Sequence, residues 1–257
     1  MNKTILQVNG LCKRFGGLTA VTQLDFEVGE GEILGMIGPN GAGKSTTFNV
    51  IAGTYAADAG EARFAGESLF GLAPHQIAAR GVMRTFQHNR PFAGMPVIDN
   101  VMVGAHARFR SRLWNLLAES SFKEETAMRQ KAEALVRFVG LGDLGDADVT
   151  TLSFGQGRLL EIARALAGEP RLLLLDEPAA GLTPDELARL AGIIRGIADR
   201  GIAVLLIEHD MHFLLPLAHR VVVLNFGAKI ADGLPAEIRA NRAVTDAYLG
   251  SEHAAAR

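Results

Sequence analysis

Three apolar runs punctuate the chain: Ile33–Ile37, Leu172–Leu175 and Ile202–Ile207. Runs this short and this continuous are expected of strands buried on both faces, as in the middle of a parallel sheet. A different pattern occupies the first thirty residues. Positions 4–8 and 18–28 alternate, with Leu24, Phe26 and Val28 set against Gln23, Asp25 and Glu27. They predict antiparallel strands, followed by a turn at Gly29-Glu30-Gly31-Glu32. Residues 61–70 predict another such strand with a turn at Gly66, 82–86 a short strand ending at Gln87, and 220–225 a further strand. Helical spacing appears from Thr46 to Ala52, stopped by Gly53, and dominates 97–140 (Ala132, Leu135, Val136, Val139) up to Gly140-Leu141-Gly142-Asp143. It returns through Leu160, Ala163, Leu166 and Ala167, over 184–200 and over 235–249, leaving Ser251 to Arg257 as an expected frayed tail.

This is an α/β pattern with a small antiparallel layer at one end and an inserted helical stretch in the middle. A chain of 257 residues, 48% of them hydrophobic, can bury one large core, or a core with a subdomain. The net charge of −2 gives no general attraction to nucleic acid or acidic membranes. Cys12 is the one cysteine, so no internal disulfide can form, and a reducing compartment fits. The start carries no long apolar stretch of the kind a secretory signal needs, and the longest apolar runs are too short to cross a bilayer. Work at a membrane would require something else to hold the chain there.

The candidate chemistry gathers at strand ends. Gly38-Pro39-Asn40-Gly41-Ala42-Gly43-Lys44-Ser45-Thr46 reads G-x-x-x-x-G-K-S between a buried strand and a helix, the context a phosphate-cradling loop requires. Its glycines let backbone N–H groups converge on an anion, and the helix start adds unsatisfied N–H groups and a positive dipole end. Lys44 can meet the β- and γ-phosphates, and Ser45 can give Mg²⁺ an oxygen. At the end of the leucine strand, Asp176 and Glu177 precede the strand-breaking Pro178. Buried acids need a cation or other partner; beside a phosphate loop, Asp176 fits a Mg²⁺-holding role and Glu177 one of polarising water. His209 follows the next buried strand and so shares their edge, although a lone histidine is more often structural. Gln87 at the end of the 82–86 strand could reach Mg²⁺ or the attacking water, or simply be solvated.

Other segments leave two readings open. Phe15, in the loop Lys13-Arg14-Phe15-Gly16-Gly17, can stack on a base or anchor the loop. Ser153 with Gln156 fits a capping box, which either only starts the helix or makes a second anion site. Thr183, Pro184 and Glu186 predict another capped helix start. The basic, aromatic stretch 108–114 fits a solvated face better than a contact with a membrane partner or lipid headgroups, and nucleic acid least of all.

Taken in order (aromatic loop, P-loop, glutamine, Leu152-Ser153-Phe154-Gly155-Gln156, leucine strand with Asp176-Glu177-Pro178, then His209), the chain resembles the ATP-binding subunits of ABC transporters over nearly its whole length. Within them it looks most like the ATPases of branched-chain, or hydrophobic, amino acid importers. The narrower likeness rests on Arg84-Thr85-Phe86-Gln87, Arg90-Pro91-Phe92 to Asp99-Asn100, Glu161-Ile162-Ala163-Arg164-Ala165-Leu166 and Ala247-Tyr248-Leu249-Gly250.

The resemblance implies a RecA-like P-loop NTPase core with an antiparallel β subdomain and an inserted α-helical subdomain, all in one ABC ATPase domain over 1–257. The expected division is 1–30 and 55–75 for the β layer, 31–54, 76–90 and 151–235 for the nucleotide-binding core, 91–150 for the helical part, and 236–257 for a C-terminal helix and tail. It also implies roles. Phe15 would stack on adenine, residues 38–46 would wrap the phosphates, and Ser45, Gln87 and Asp176 would serve Mg²⁺. Gln87 would also sense the γ-phosphate, Glu177 would be the general base, and His209 would stabilise the γ-phosphate. Ser153, Phe154, Gly155 and Gln156 would complete the ATP site of a second ATPase subunit, identical or paralogous. Further implied partners are two transmembrane permeases and, indirectly, a periplasmic solute-binding protein, with the chain peripheral on the cytoplasmic face of the inner membrane. Phe154 stands where the family usually has glycine, and Thr183 where it usually has aspartate.

Cargo other than branched-chain amino acids, such as urea, amides or another small solute, fits the same reading. Soluble relatives acting on DNA or ribosomes fit less well. Only 106 residues separate Ser45 from Leu152, with no sustained heptads, and there is one ATPase unit. A non-catalytic nucleotide-binding module is disfavoured by Glu177 and His209.

Overall fold

The structure is a computed structural model that describes residues 3–85, 91–105 and 119–255. The two alternating segments form one long hairpin. Strands β1 (Thr4–Phe15) and β2 (Leu18–Gly29) pair antiparallel, with Leu6 opposite Val28 and Phe15 opposite Leu18. The first apolar run is β3 (Ile33–Ile37), and the glycine-rich loop leads from it into α1 (Lys44–Ile51). Strands β4 (Ala59–Phe64) and β5 (Glu67–Ser68), turned at Ala65-Gly66, complete a four-stranded antiparallel sheet in the order β2-β1-β4-β5. Helix α2 (Pro74–Ala79) and β6 (Val82–Arg84) follow.

The inserted helical stretch begins with α3 (Val97–Ala105) and ends with α4 (Glu119–Phe138). Then come α5 (Phe154–Ala167), β7 (Leu172–Asp176), α6 (Pro184–Ala198), β8 (Ala203–Ile207), the single turn α7 (Met211–Leu214) and β9 (Arg220–Asn225). Strand β10 (Ala228–Gly233) pairs antiparallel with β9. The sequence reading missed it, because Ala228 to Gly233 neither alternates cleanly nor forms an apolar run. The C-terminal helical stretch is two helices, α8 (Pro235–Ala240) and α9 (Arg242–Ala255), parted at Asn241. The expected frayed tail from Ser251 is thus corrected in part: α9 continues to Ala255.

The six-stranded sheet has the order β10-β9-β3-β8-β7-β6, parallel except at β10. Each central strand is buried on both faces, so alternate residues serve different cores. Leu172, Leu174, Leu205 and Met36 pack toward the antiparallel sheet and Phe48 and Ile51 of α1. Leu173, Leu175, Leu206 and Ile37 pack toward Val101, Val136, Ile162 and Ile194 on α3, α4, α5 and α6. The arrangement is a largely parallel sheet covered by helices on one face and by an antiparallel sheet with α1 and α2 on the other. It brings the C-terminal ends of β3, β7 and β8 to one edge, where ligands bind in open α/β sheets. No helix among the described residues is long and apolar enough to cross a membrane.

Candidate functional site

The loop after β3 is shaped by a backbone that only glycine permits. Gly43, at the N-cap of α1, has φ 100°. A side-chain carbon there would stand 2.5 Å from the Ala20 carbonyl oxygen. Thr47 closes the first turn twice over, its N–H and its hydroxyl both donating to the Gly43 carbonyl at 2.9 and 3.0 Å. From the other side, the Gly227 N–H in the β9–β10 turn donates to the Ala42 carbonyl at 3.1 Å. Lys44 is 5% exposed, and its ammonium donates to the carbonyls of Gly38 (2.6 Å) and Pro39 (3.0 Å), curling the loop around itself. Burial lowers its pKa, and the Glu177 and Asp176 carboxylates partly offset that. Asn40, Gly41 and Ser45 are exposed on the rim.

Asp176 ends β7 and is 2% exposed. Its Oδ2 accepts from the Arg84 guanidinium at 2.9 Å, and its Oδ1 is buried without a hydrogen-bond partner among the described residues. Glu177 follows in the left-handed region with φ 47°, its N–H donating to the Ile207 carbonyl at 3.0 Å. Such a conformation costs a non-glycine residue roughly 1–3 kcal/mol and tends to occur where a side chain must be aimed. Because Asp176 is in register with Ile207 on β8, the two strand ends set Glu177 beside His209. Glu177 Oε1 lies 3.9 Å from His209 Nδ1, and the His209 side chain is 56% exposed.

Glu208, between Ile207 and His209, is fully buried, and its Oε1 accepts the Ala179 N–H at 2.8 Å. Its other oxygen has no hydrogen-bond partner among the described residues. Burial pushes its pKa up to about 7, opposed by the Ala179 and His209 amides and assisted by the charges of Glu177 and Asp210. The structure therefore gathers Lys44, Asp176, Glu177 and His209 at one edge, and adds Arg84 and Glu208, which sequence reasoning missed. Arg84 was legible only as part of a family-like stretch, and Glu208 only as the neighbour of His209.

The other candidates lie apart from this cluster in their contacts. Phe15 ends β1, 43% exposed, with Tyr55 edge-on at 5.3 Å between ring centroids and the Lys13 ammonium 5.2 Å from its ring centre. Ser153 caps α5: its hydroxyl accepts the Gln156 N–H (3.2 Å), while Gln156 Oε1 accepts the Ser153 N–H (2.8 Å). Phe154 is 55% exposed and lies against Gly181, where an added side-chain carbon would come within 3.1 Å of the ring. A side-chain carbon on Gly155 would stand 2.2 Å from Glu186 Oε1. Glu186 belongs to the capping box of Thr183, whose N–H it accepts at 2.9 Å, a bond that lowers the Glu186 pKa. The Ser153 loop is thus packed against the turn that follows Glu177. Gln87 and the basic stretch 108–114 lie outside the described residues.

The residues present suit Mg²⁺. This ion takes hard oxygen donors, often one or two protein groups with phosphate and water completing an octahedron. The buried Asp176 Oδ1, without a partner among the described residues, and the exposed Ser45 hydroxyl at the first turn of α1 are such donors.

A nucleotide cradle, an acid pair and a histidine at one sheet edge define a P-loop ATPase. The family profile described as ABC transporter matches residues 21–180, and one described as branched-chain amino acid ATP-binding cassette transporter matches 228–254. The high-affinity branched-chain amino acid transport ATP-binding protein BraF of Pseudomonas aeruginosa is 43% identical, covering 97% of this chain and 99% of that protein. LivG of Escherichia coli, described in the same words, is 41% identical with the same coverage. The ADP conformation of an ATP-binding cassette of an ABC transporter superposes with a TM-score of 0.86 at 31% identity, covering 97% of this chain and all of that one. The chain belongs to the ATP-binding subunits of ABC transporters, in their branched-chain amino acid branch, and is a nucleotide-binding ATPase.

Proposed function

We propose that this ATPase powers an importer of branched-chain or other hydrophobic amino acids, hydrolysing ATP between two subunits arranged head to tail. The observation that carries the reading is that one chain holds one phosphate loop and one Ser153 loop, each with its own set of contacts. The loop at 38–46 curls around the Lys44 ammonium, within electrostatic reach of Glu177 and Asp176, while the Ser153 loop packs on the 181–186 turn and leaves Phe154 in solvent. One chain then offers one cradle and one capped helix start, and a second subunit, identical or paralogous, completes each.

In this reading Phe15 stacks on the adenine, and the amides of residues 38–46 hold the phosphates. Lys44 leaves the Gly38 and Pro39 carbonyls for the phosphate oxygens. Ser45 and Asp176, with Gln87, would hold Mg²⁺, which would neutralise charge building on the phosphate oxygens. Glu177 takes a proton from the attacking water, and His209 steadies the γ-phosphate side. Ser153, Gly155 and Gln156 face the partner's nucleotide. Loss of the γ-phosphate contacts parts the subunits, and this motion reaches two permeases at the cytoplasmic face of the membrane. A solute-binding protein on the other side of the membrane delivers the cargo.

Reconstitution tests the reading. Proteoliposomes carrying this chain, its permeases and its companion ATPase should take up radiolabelled leucine only with ATP inside and binding protein outside. Uptake that proceeds without this chain, or ATP turnover by this chain while it stays strictly monomeric, would overturn it.

A further inference from the structure

Asp176 and Arg84 make the most buried ion pair at the edge that carries the acids. Their side chains are 1% and 16% exposed, with 2.9 Å between Oδ2 and a terminal guanidinium nitrogen. An arginine facing a carboxylate commonly offers two parallel N–H groups and satisfies both oxygens. Here that does not happen. The other terminal nitrogen of Arg84 turns to Asn49 Oδ1 on α1, at 2.6 Å. Arg84 Nε is buried without a hydrogen-bond partner among the described residues, as is Asp176 Oδ1. Two orphaned polar atoms in a buried network are costly and call for a reason. The amide of Asn49 supplies part of one: it holds the other terminal nitrogen, so the two terminal N–H groups cannot both close on the carboxylate.

We propose that Arg84, split by Asn49, is the positioning residue of the metal-side carboxylate. It fixes Asp176 by one oxygen and leaves the other for the ion. The inference rests on the reading of Asp176 given above, and extends it to two residues outside the proposed set of ligands. It also ties three pieces of the cradle together, since Asn49 lies on the helix that begins at Lys44 and Arg84 on the strand that runs toward Gln87.

Manganese provides the probe. Mn²⁺ binding to the full-length protein in the presence of ADP is followed by electron paramagnetic resonance, alongside ADP affinity without divalent ion. Arg84→Gln is expected to weaken Mn²⁺ binding about tenfold or more, as a lost charge-assisted contact does, with metal-free ADP affinity within about twofold of the parent on the same grounds. Arg84→Lys should recover part of the loss. Asn49→Ala keeps the ion pair but frees the fork, and should also weaken Mn²⁺. Parental Mn²⁺ affinity in a folded Arg84→Gln protein overturns the proposal. If that variant does not fold, Asn49→Ala decides in its place: weakened Mn²⁺ binding supports the proposal and parental binding overturns it. Asp176→Asn separates the two levels. Unchanged Mn²⁺ binding there removes the underlying reading, whereas a loss there with none in the Arg84 variant removes only this inference.

Discussion

The cradle at the ends of β3, β7 and β8 and the loop at Ser153 are built on opposite terms. The cradle is a set of buried charges. Lys44, Asp176 and Glu208 are each at most 5% exposed, and they are held by cross-strand bonds and by a strained Glu177. The Ser153 loop is a surface feature held by a capping box and by close packing of Phe154 and Gly155 on the next turn. Interactions among buried charges are strong and unforgiving, whereas exposed caps contribute about a kilocalorie and tolerate change. In the proposed function, this difference separates the region that would set the chemistry from the region that would meet a partner.

That contrast can be broken in order of severity. The largest effect is expected from Glu177→Gln. General-base action contributes ~10²–10⁴ in rate, so steady-state ATP hydrolysis should fall by about that factor while ATP still binds and the subunits accumulate in the closed pair. Normal turnover by the variant would remove Glu177 from the mechanism. Lys44→Ala comes next. A charge-assisted hydrogen bond contributes about 1.5–3 kcal/mol, so nucleotide affinity measured by calorimetry should drop roughly ten- to a hundredfold, and unchanged affinity would contradict the cradle.

Glu208→Gln probes the buried charge itself. The folded protein holds this proton more tightly than the unfolded chain, with a pKa near 7 against an ordinary 4.5. Its contribution to stability is therefore fully present below the unfolded value and is lost as the pH rises through about 7. At about 1.36 kcal/mol per pKa unit, the parent should lose up to about 3 kcal/mol between pH 4.5 and 8 from this group. The glutamine variant should show a correspondingly flatter curve in urea unfolding. Equal pH slopes in the two proteins would show that Glu208 is not the titrating group. The smallest effect belongs to the surface loop. Ser153→Ala removes one cap and should cost about 1 kcal/mol of stability, with nucleotide affinity of the isolated chain unaltered. A large loss of that affinity would mean that the loop serves its own cradle and not a partner's.

The sequence alone determined what depends on local spacing. G-x-x-x-x-G-K-S between a strand and a helix, four leucines ahead of Asp176-Glu177-Pro178, and Ser153 with Gln156 each state their geometry within a few residues. Glycine conformations, strand burial and helix caps are local physics. The tertiary structure alone decided what depends on pairing between distant segments. Arg84 meets Asp176 across 92 positions, and Glu208 meets the Ala179 amide across 29. Strand β10 exists because β9 offers it an edge. Phe154 rests on Gly181 because two helix starts converge. None of these leaves a periodic trace in the chain, because the free energy of a buried charge or a sheet edge is set by what folding brings beside it and not by its neighbours in sequence.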